Sequence, residues 1–110
     1  HNNEEPLYKL AKEIHENAVA HGWWNEERNL LEIVALCHSE LSEAIEEYRA
    51  GRPMVWTNEG GKPEGIAVEM ADCLIRILDW FGREGLDVDE IVRQKMAYNR
   101  GRPYKHGKRC

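Results

Sequence analysis

Ser39-Glu40-Leu41-Ser42-Glu43-Ala44-Ile45-Glu46-Glu47 poses the folding problem, and Glu69-Met70-Ala71-Asp72 poses it again further along the chain. Each stretch carries carboxylates three residues apart inside an apolar helical pattern. On a helix at about 100° per residue, positions i and i+3 lie about 60° apart, side by side on one face. Two such pairs brought together by packed helices put four carboxylates around one point. Uncompensated, that cluster repels itself, and a bound divalent cation removes the penalty. The expectation is a metal site on a helical scaffold.

The pattern extends outward from the first stretch. Leu30, Val34, Cys37, Leu41, Ala44, Ile45 and Tyr48 recur at spacings of three and four until Ala50-Gly51. Asn25 is placed to cap this long helix, with Glu26 and Glu27 in its first turn where the dipole favours anions. Counting about 100° per residue from Glu40, Glu43 falls at about −60° and Glu47 at about −20°, while the apolar stripe centres at about +80°. Glu40, Glu43 and Glu47 therefore border the core-facing stripe, and Glu46 points away.

The second stretch lies in a helix expected to open at Pro63. Its apolar residues, from Ile66 through Leu74 and Leu78 to Phe81, cover most of the circumference. Such a helix is buried on several sides, in the domain centre or at a subunit interface. Glu69 and Asp72 then need partners, because unpaired burial of a charge costs several kcal/mol. Arg76, four residues after Asp72, is one candidate, and a metal ion is the other.

Before these two helices, Pro6 opens a first helix through Leu7, Leu10, Ala11, Ile14, Ala18 and Val19, stopped by Gly22. Trp23-Trp24 follows in a connector; the two indoles either cap the core or offer a ring to a flat ligand such as a nucleobase. Residues 50–63, rich in glycine and proline yet holding Met54, Val55 and Trp56, form a loop that is either a mobile flap or docked on the core. Asp87-Val88-Asp89-Glu90 reads as a capping box for a last helix reaching about Asn99, before Gly101 and Pro103. No strand alternation is seen. The expected fold is all-α, four helices packed as a bundle in a single domain over 1–110, with about 1–5 and 104–110 irregular.

Composition agrees with a globular chain: of 110 residues, 42% are hydrophobic and 32% charged. No run approaches a membrane span and no signal-peptide pattern opens the sequence. Three cysteines with no close pair suit a reduced, cytoplasmic setting, and a zinc site using His38 or His106 lacks any recognisable spacing. Residues 1–90 hold all 20 acids and 8 bases, a balance of −12, whereas 91–110 hold 7 bases and no acid. A basic tail on an acidic body can bind phosphates, nucleic acid or the body itself.

An oxygen-only donor set suits Mg²⁺, or Mn²⁺ as a substitute, rather than zinc. Magnesium commonly works on phosphates, where it activates water and neutralises charge developing on phosphate oxygens. Lys95, Arg100, Arg102 and Lys105 are available for the rest of a polyphosphate.

The run Ser39-Glu40-Leu41-Ser42-Glu43-Ala44, then Lys62-Pro63-Glu64-Gly65-Ile66-Ala67-Val68-Glu69-Met70-Ala71-Asp72, resembles the MazG-like, all-α nucleoside triphosphate pyrophosphohydrolases. The likeness continues through Asp79, Gly85-Leu86-Asp87 and Lys95-Met96-Ala97-Tyr98-Asn99-Arg100. It implies Mg²⁺-dependent hydrolysis of a (deoxy)nucleoside triphosphate to the monophosphate and pyrophosphate, in nucleotide-pool cleaning. It implies metal ligation and catalysis by Glu40, Glu43, Glu69 and Asp72, phosphate contact by Lys95 and Asn99, and a homodimer or a tetramer built from dimers. Many relatives open the first motif with two glutamates where this chain has Ser39, which leaves room for Glu47 or Glu46 as a ligand. Base recognition falls to Trp23, Trp24 or Trp56. The competing expectations are a phosphoribosyl-ATP pyrophosphohydrolase and a non-catalytic helical module binding a protein or nucleic acid; a membrane partner is not expected.

Overall fold

The computed structural model describes residues 5–103. Four helices dominate: α1 (Pro6–Ala20), α2 (Leu30–Ala50), α3 (Ile66–Glu84) and α4 (Val88–Arg100), with β1 (Trp56–Thr57) and β2 (Pro63–Glu64) between α2 and α3. The protein is all-α in character, as the periodicity predicts. The N-terminal and C-terminal segments expected to be irregular fall outside the described residues, apart from Glu5, which precedes α1 as its N-cap.

α3 is the element the others pack on, with α1 against one side and α2 against another. α1 and α3 approach closely because Gly82 has no side chain. A Cβ at Gly82 would sit 2.5 Å from the Ala11 carbonyl oxygen and 2.7 Å from His15 Cβ. Ala11 and Leu78 are buried beside this crossing, joined by Val88 from α4 and flanked by Leu7, Tyr8, Ile14 and Phe81. α4 lies against α1, and one carboxylate fixes their junction. Asp89, buried in the first turn of α4, accepts the amides of Leu7 (3.1 Å) and Tyr8 (2.6 Å). These are N-terminal amides of α1 that have no partner within their own helix. Pro6 supplies the expected first-turn proline, and Asp87 accepts from the Glu90 amide, as the capping box requires.

The start of α2 differs from the expectation. The cap is Asn29, in an extended conformation, whose side chain accepts from the Glu32 amide at 2.9 Å; Asn25 lies four residues outside the helix. Arg28 accounts for the difference. Its Nε donates to the Trp23 carbonyl at 2.8 Å, which ties residues 23–28 into a turn that a helix begun at Asn25 would have to break.

α3 likewise begins at Ile66 rather than at Pro63. Thr57 pairs with Pro63 and Trp56 with Glu64 in an antiparallel hairpin. The turn is organised by Asn58, whose Oδ1 accepts the amides of Gly60 and Lys62 and whose Nδ2 donates to Glu64. Strands of two residues have no room for an alternation that a sequence could show. Gly65 then has φ 118°, and a Cβ there would meet the Met54 carbonyl oxygen at 2.3 Å. That same carbonyl accepts from Ala67 in the first turn of α3. The 50–63 loop is thus docked, but by backbone and polar contacts: Met54 and Val55 remain exposed.

Among the described residues no helix is long and apolar enough to cross a membrane. Cys73 is buried and Cys37 half-buried beside it, and both are free thiols. Burial, with Cys73 adjacent, pushes the Cys37 thiol up.

Candidate metal centre

α2 and α3 run together so that the two acidic stretches meet. Glu40, Glu43 and Glu69 each offer a carboxylate oxygen, and these oxygens lie within 4.8 Å of one another. Glu40 is buried, Glu69 half-buried and Glu43 exposed, so the cluster has one open side. Asp72 lies one turn after Glu69 on α3, and its charge acts on the Glu69 carboxyl. Glu69 is pushed up to about 7 by burial first, then by the charges of Glu43, Asp72 and Glu40. Three of the four expected carboxylates therefore converge, and Asp72, one turn along α3 from Glu69, is not among the converging oxygens.

The donor set fits a hard divalent cation. It is all oxygen, it converges from two helices, and in the ion-free state burial and the neighbouring carboxylate charges disfavour ionisation of Glu69.

Arg76 does not pair with Asp72. It reaches across to α2, where its Nε donates to Glu40 Oε1 at 2.9 Å and its Nη2 lies 2.9 Å from the same oxygen. The reason is burial: Glu40 is only 8% exposed, and a buried carboxylate gains more from a guanidinium than a better solvated one does.

Glu47 is not among the converging oxygens. Its carboxylate accepts from the Trp56 indole N–H at 2.9 Å and from Arg52 at 2.7 Å. The indole hydrogen bond first, with Arg52 adding, outweighs burial and holds the carboxyl below the usual range. Trp56 thereby anchors the hairpin to α2. Glu46 points away as the wheel predicts and pairs with Arg49.

The tryptophan connector lies over α3. The guanidinium carbons of Arg28 and Arg76 stand over the Trp23 ring, 3.7 and 4.9 Å from its centroid. Trp24 donates from Nε1 to both oxygens of buried Asp79 at 3.1 Å, meets His15 edge-on, and carries Arg83 over its ring. Asp79 also takes a 2.8 Å hydrogen bond from His15 Nδ1. Both indoles are held by these polar and cationic contacts. A cleft of 300 Å³ opens between α1 and α3, with Glu13, Asn17, Arg76 and Asp79 in its walls.

The helical-wheel count did not assign Arg76 to Glu40 or His15 to Asp79. A signal was present: Asp72, Arg76, Asp79 and Arg83 recur at spacings of four, three and four, a charged stripe along an otherwise apolar helix. The phosphate-contact candidates stand elsewhere. Lys95, Asn99 and Arg100 are exposed on α4, which packs on α1, and Lys95 and Arg102 lie 4.8 and 5.7 Å from the Tyr98 ring. Lys105 lies outside the described residues.

No family model, curated protein or solved structure matches the chain.

Proposed function

We propose that this chain is a Mg²⁺-dependent nucleoside triphosphate pyrophosphohydrolase that releases pyrophosphate from (deoxy)nucleoside triphosphates in cytoplasmic nucleotide-pool cleaning. The observation that carries the reading is the convergence of Glu40, Glu43 and Glu69 from two separate motifs, with Asp72 one turn from Glu69. The resemblance of those motifs to the MazG-like enzymes supports it. In this reading the four carboxylates hold Mg²⁺, or Mn²⁺ in its place. The ion supplies charge neutralisation at the phosphates and a more acidic water. Glu43, on the open side, faces the substrate, and Glu40 is held from behind by Arg76.

A second copy of the chain belongs to the same reading, as a homodimer or a tetramer of dimers. The four-helix chain buries little by itself: Leu31, Tyr48 and Met70 are 78%, 74% and 52% exposed. Leu41, Ala44, Ile45, Ile66 and Met70 line an open apolar groove of 460 Å³ along α2 and α3. An apolar face of this kind beside the acidic centre suits a partner helix. A second copy would also bring another α4, with its Lys95, Asn99, Arg100 and Arg102, into the assembly.

The test is pyrophosphate release from a panel of nucleotides with Mg²⁺. Release from dNTPs, lost in Glu69→Gln and Asp72→Asn variants that stay folded, is the expected result. Turnover of phosphoribosyl-ATP alone would move the assignment to that enzyme. No turnover with either ion, together with salt-sensitive association with nucleic acid, would replace catalysis by a binding role.

A further inference from the structure

Arg76 is the cation that the helices place against the acidic cluster, and its geometry is more specific than charge balance requires. Two of its nitrogens converge on one oxygen of Glu40, Oε1, at 2.9 Å each, which leaves Oε2 outside that grip. The guanidinium is itself stationed over the Trp23 ring, whose backbone carbonyl is tied by Arg28. An unbroken set of contacts thus runs from the α1–α2 connector through Arg76 to Glu40, whose free choice of rotamer is removed.

We propose that Arg76 is the positioning residue of the acidic centre: by holding Glu40 Oε1 it aims the carboxylate at the point shared with Glu43 and Glu69, and Trp23 is the platform that keeps Arg76 there. The proposal rests on the reading of the cluster as a divalent-cation centre. It gives Trp23 a role distinct from base stacking. It also accounts for a cation lodged where a divalent ion would be expected to repel it. Partners that orient a ligand from outside the coordination shell are common at metal sites, and removing one weakens metal binding about 10- to 100-fold.

The alternative role for Arg76, a countercharge that relieves carboxylate repulsion, predicts the opposite sign. Without the guanidinium an incoming cation meets less repulsion and binds more tightly. An affinity measurement therefore separates the two. Mn²⁺ binding to the full chain is measured by isothermal titration calorimetry for wild type, Arg76→Met and Arg76→Lys. Positioning predicts Arg76→Met weaker by about 10- to 100-fold. It places Arg76→Lys in between, because an ammonium can donate to Oε1 but cannot reproduce the planar fork over the indole. Unchanged or tighter Mn²⁺ binding by Arg76→Met overturns the proposal while leaving the cation centre intact. Failure of the wild type to bind Mn²⁺ overturns the centre, and the proposal with it. If far-UV circular dichroism shows that Arg76→Met does not fold, Arg76→Lys decides: binding about threefold or more weaker supports positioning, and equal or tighter binding refutes it.

Discussion

Glu69→Gln should stabilise the ion-free protein at alkaline pH and destabilise it, relative to wild type, once Mg²⁺ is added. The folded protein holds the Glu69 proton up to a pH of about 7, whereas the ordinary value for the unfolded chain is 4.5. Below 4.5 both states are protonated and the contribution of Glu69 to stability is fully present. Between 4.5 and 7 the unfolded chain releases the proton and the folded chain keeps it, so stability falls as pH rises, and by pH 8 the contribution is lost. The full displacement corresponds to about 3 kcal/mol at about 1.4 kcal/mol per decade; solvent reaching the half-buried group reduces the measurable part to about 1–2 kcal/mol. Glutamine has no proton to release over this range. Urea unfolding followed by far-UV circular dichroism should therefore give wild type and Glu69→Gln equal stability at pH 4.5. In a chelator at pH 8, Glu69→Gln should lead by about 1–2 kcal/mol. Mg²⁺ at a hundred times its dissociation constant adds about 2.7 kcal/mol to wild type at pH 8, and much less to a variant lacking a ligand, so the order reverses. A stability gap that stays constant from pH 4.5 to 8 would refute the raised Glu69 pKa. Equal stabilisation of both proteins by Mg²⁺ would remove Glu69 from the ligand set.

Two further predictions concern the scaffold. Asp89→Ala takes away the acceptor of two α1 amides and should cost about 1–3 kcal/mol, read as a fall in the urea midpoint at constant slope; no change would mean that water replaces the cap freely. Gly82→Ala would raise helix propensity and stabilise an open site by about 0.5–1 kcal/mol, but here the new methyl meets the Ala11 carbonyl at 2.5 Å. The expected result is a loss of about 3 kcal/mol, and a stabilised variant would contradict the close α1–α3 crossing.

What the sequence made legible was whatever depends on spacing along a single helix. The wheel placed Glu40 at the margin of the apolar stripe and Glu46 away from it, and the structure buries the first and leaves the second to Arg49 on the surface. The Asp87 capping box was readable for the same reason. The start of α2 is equally local, and it falls at Asn29 rather than at Asn25. Asn29-Leu30-Leu31-Glu32 places an acid three residues after the cap, whereas Asn25 is followed at that distance by Arg28. The capping-box rule, applied to both, selects Asn29. The hairpin was out of reach, because one asparagine side chain, rather than an alternation, creates it.

Arg76 shows where spacing misleads. The i, i+4 relation to Asp72 is real, yet a pair on one helix surface is worth only about 0.2–0.5 kcal/mol, less than the cost of leaving a buried Glu40 without a cation. The side chain therefore goes to the partner that burial penalises most, and which partner that is depends on how α2 is rotated against α3. Rotation between helices is not periodic in either sequence. The burial of each carboxylate is what ranks the claims on Arg76, and the wheel set Glu40, Glu43 and Glu47 alike at the border of the apolar stripe. Only the packed α2–α3 pair, which buries Glu40 and leaves Glu43 exposed, takes Arg76 across to Glu40.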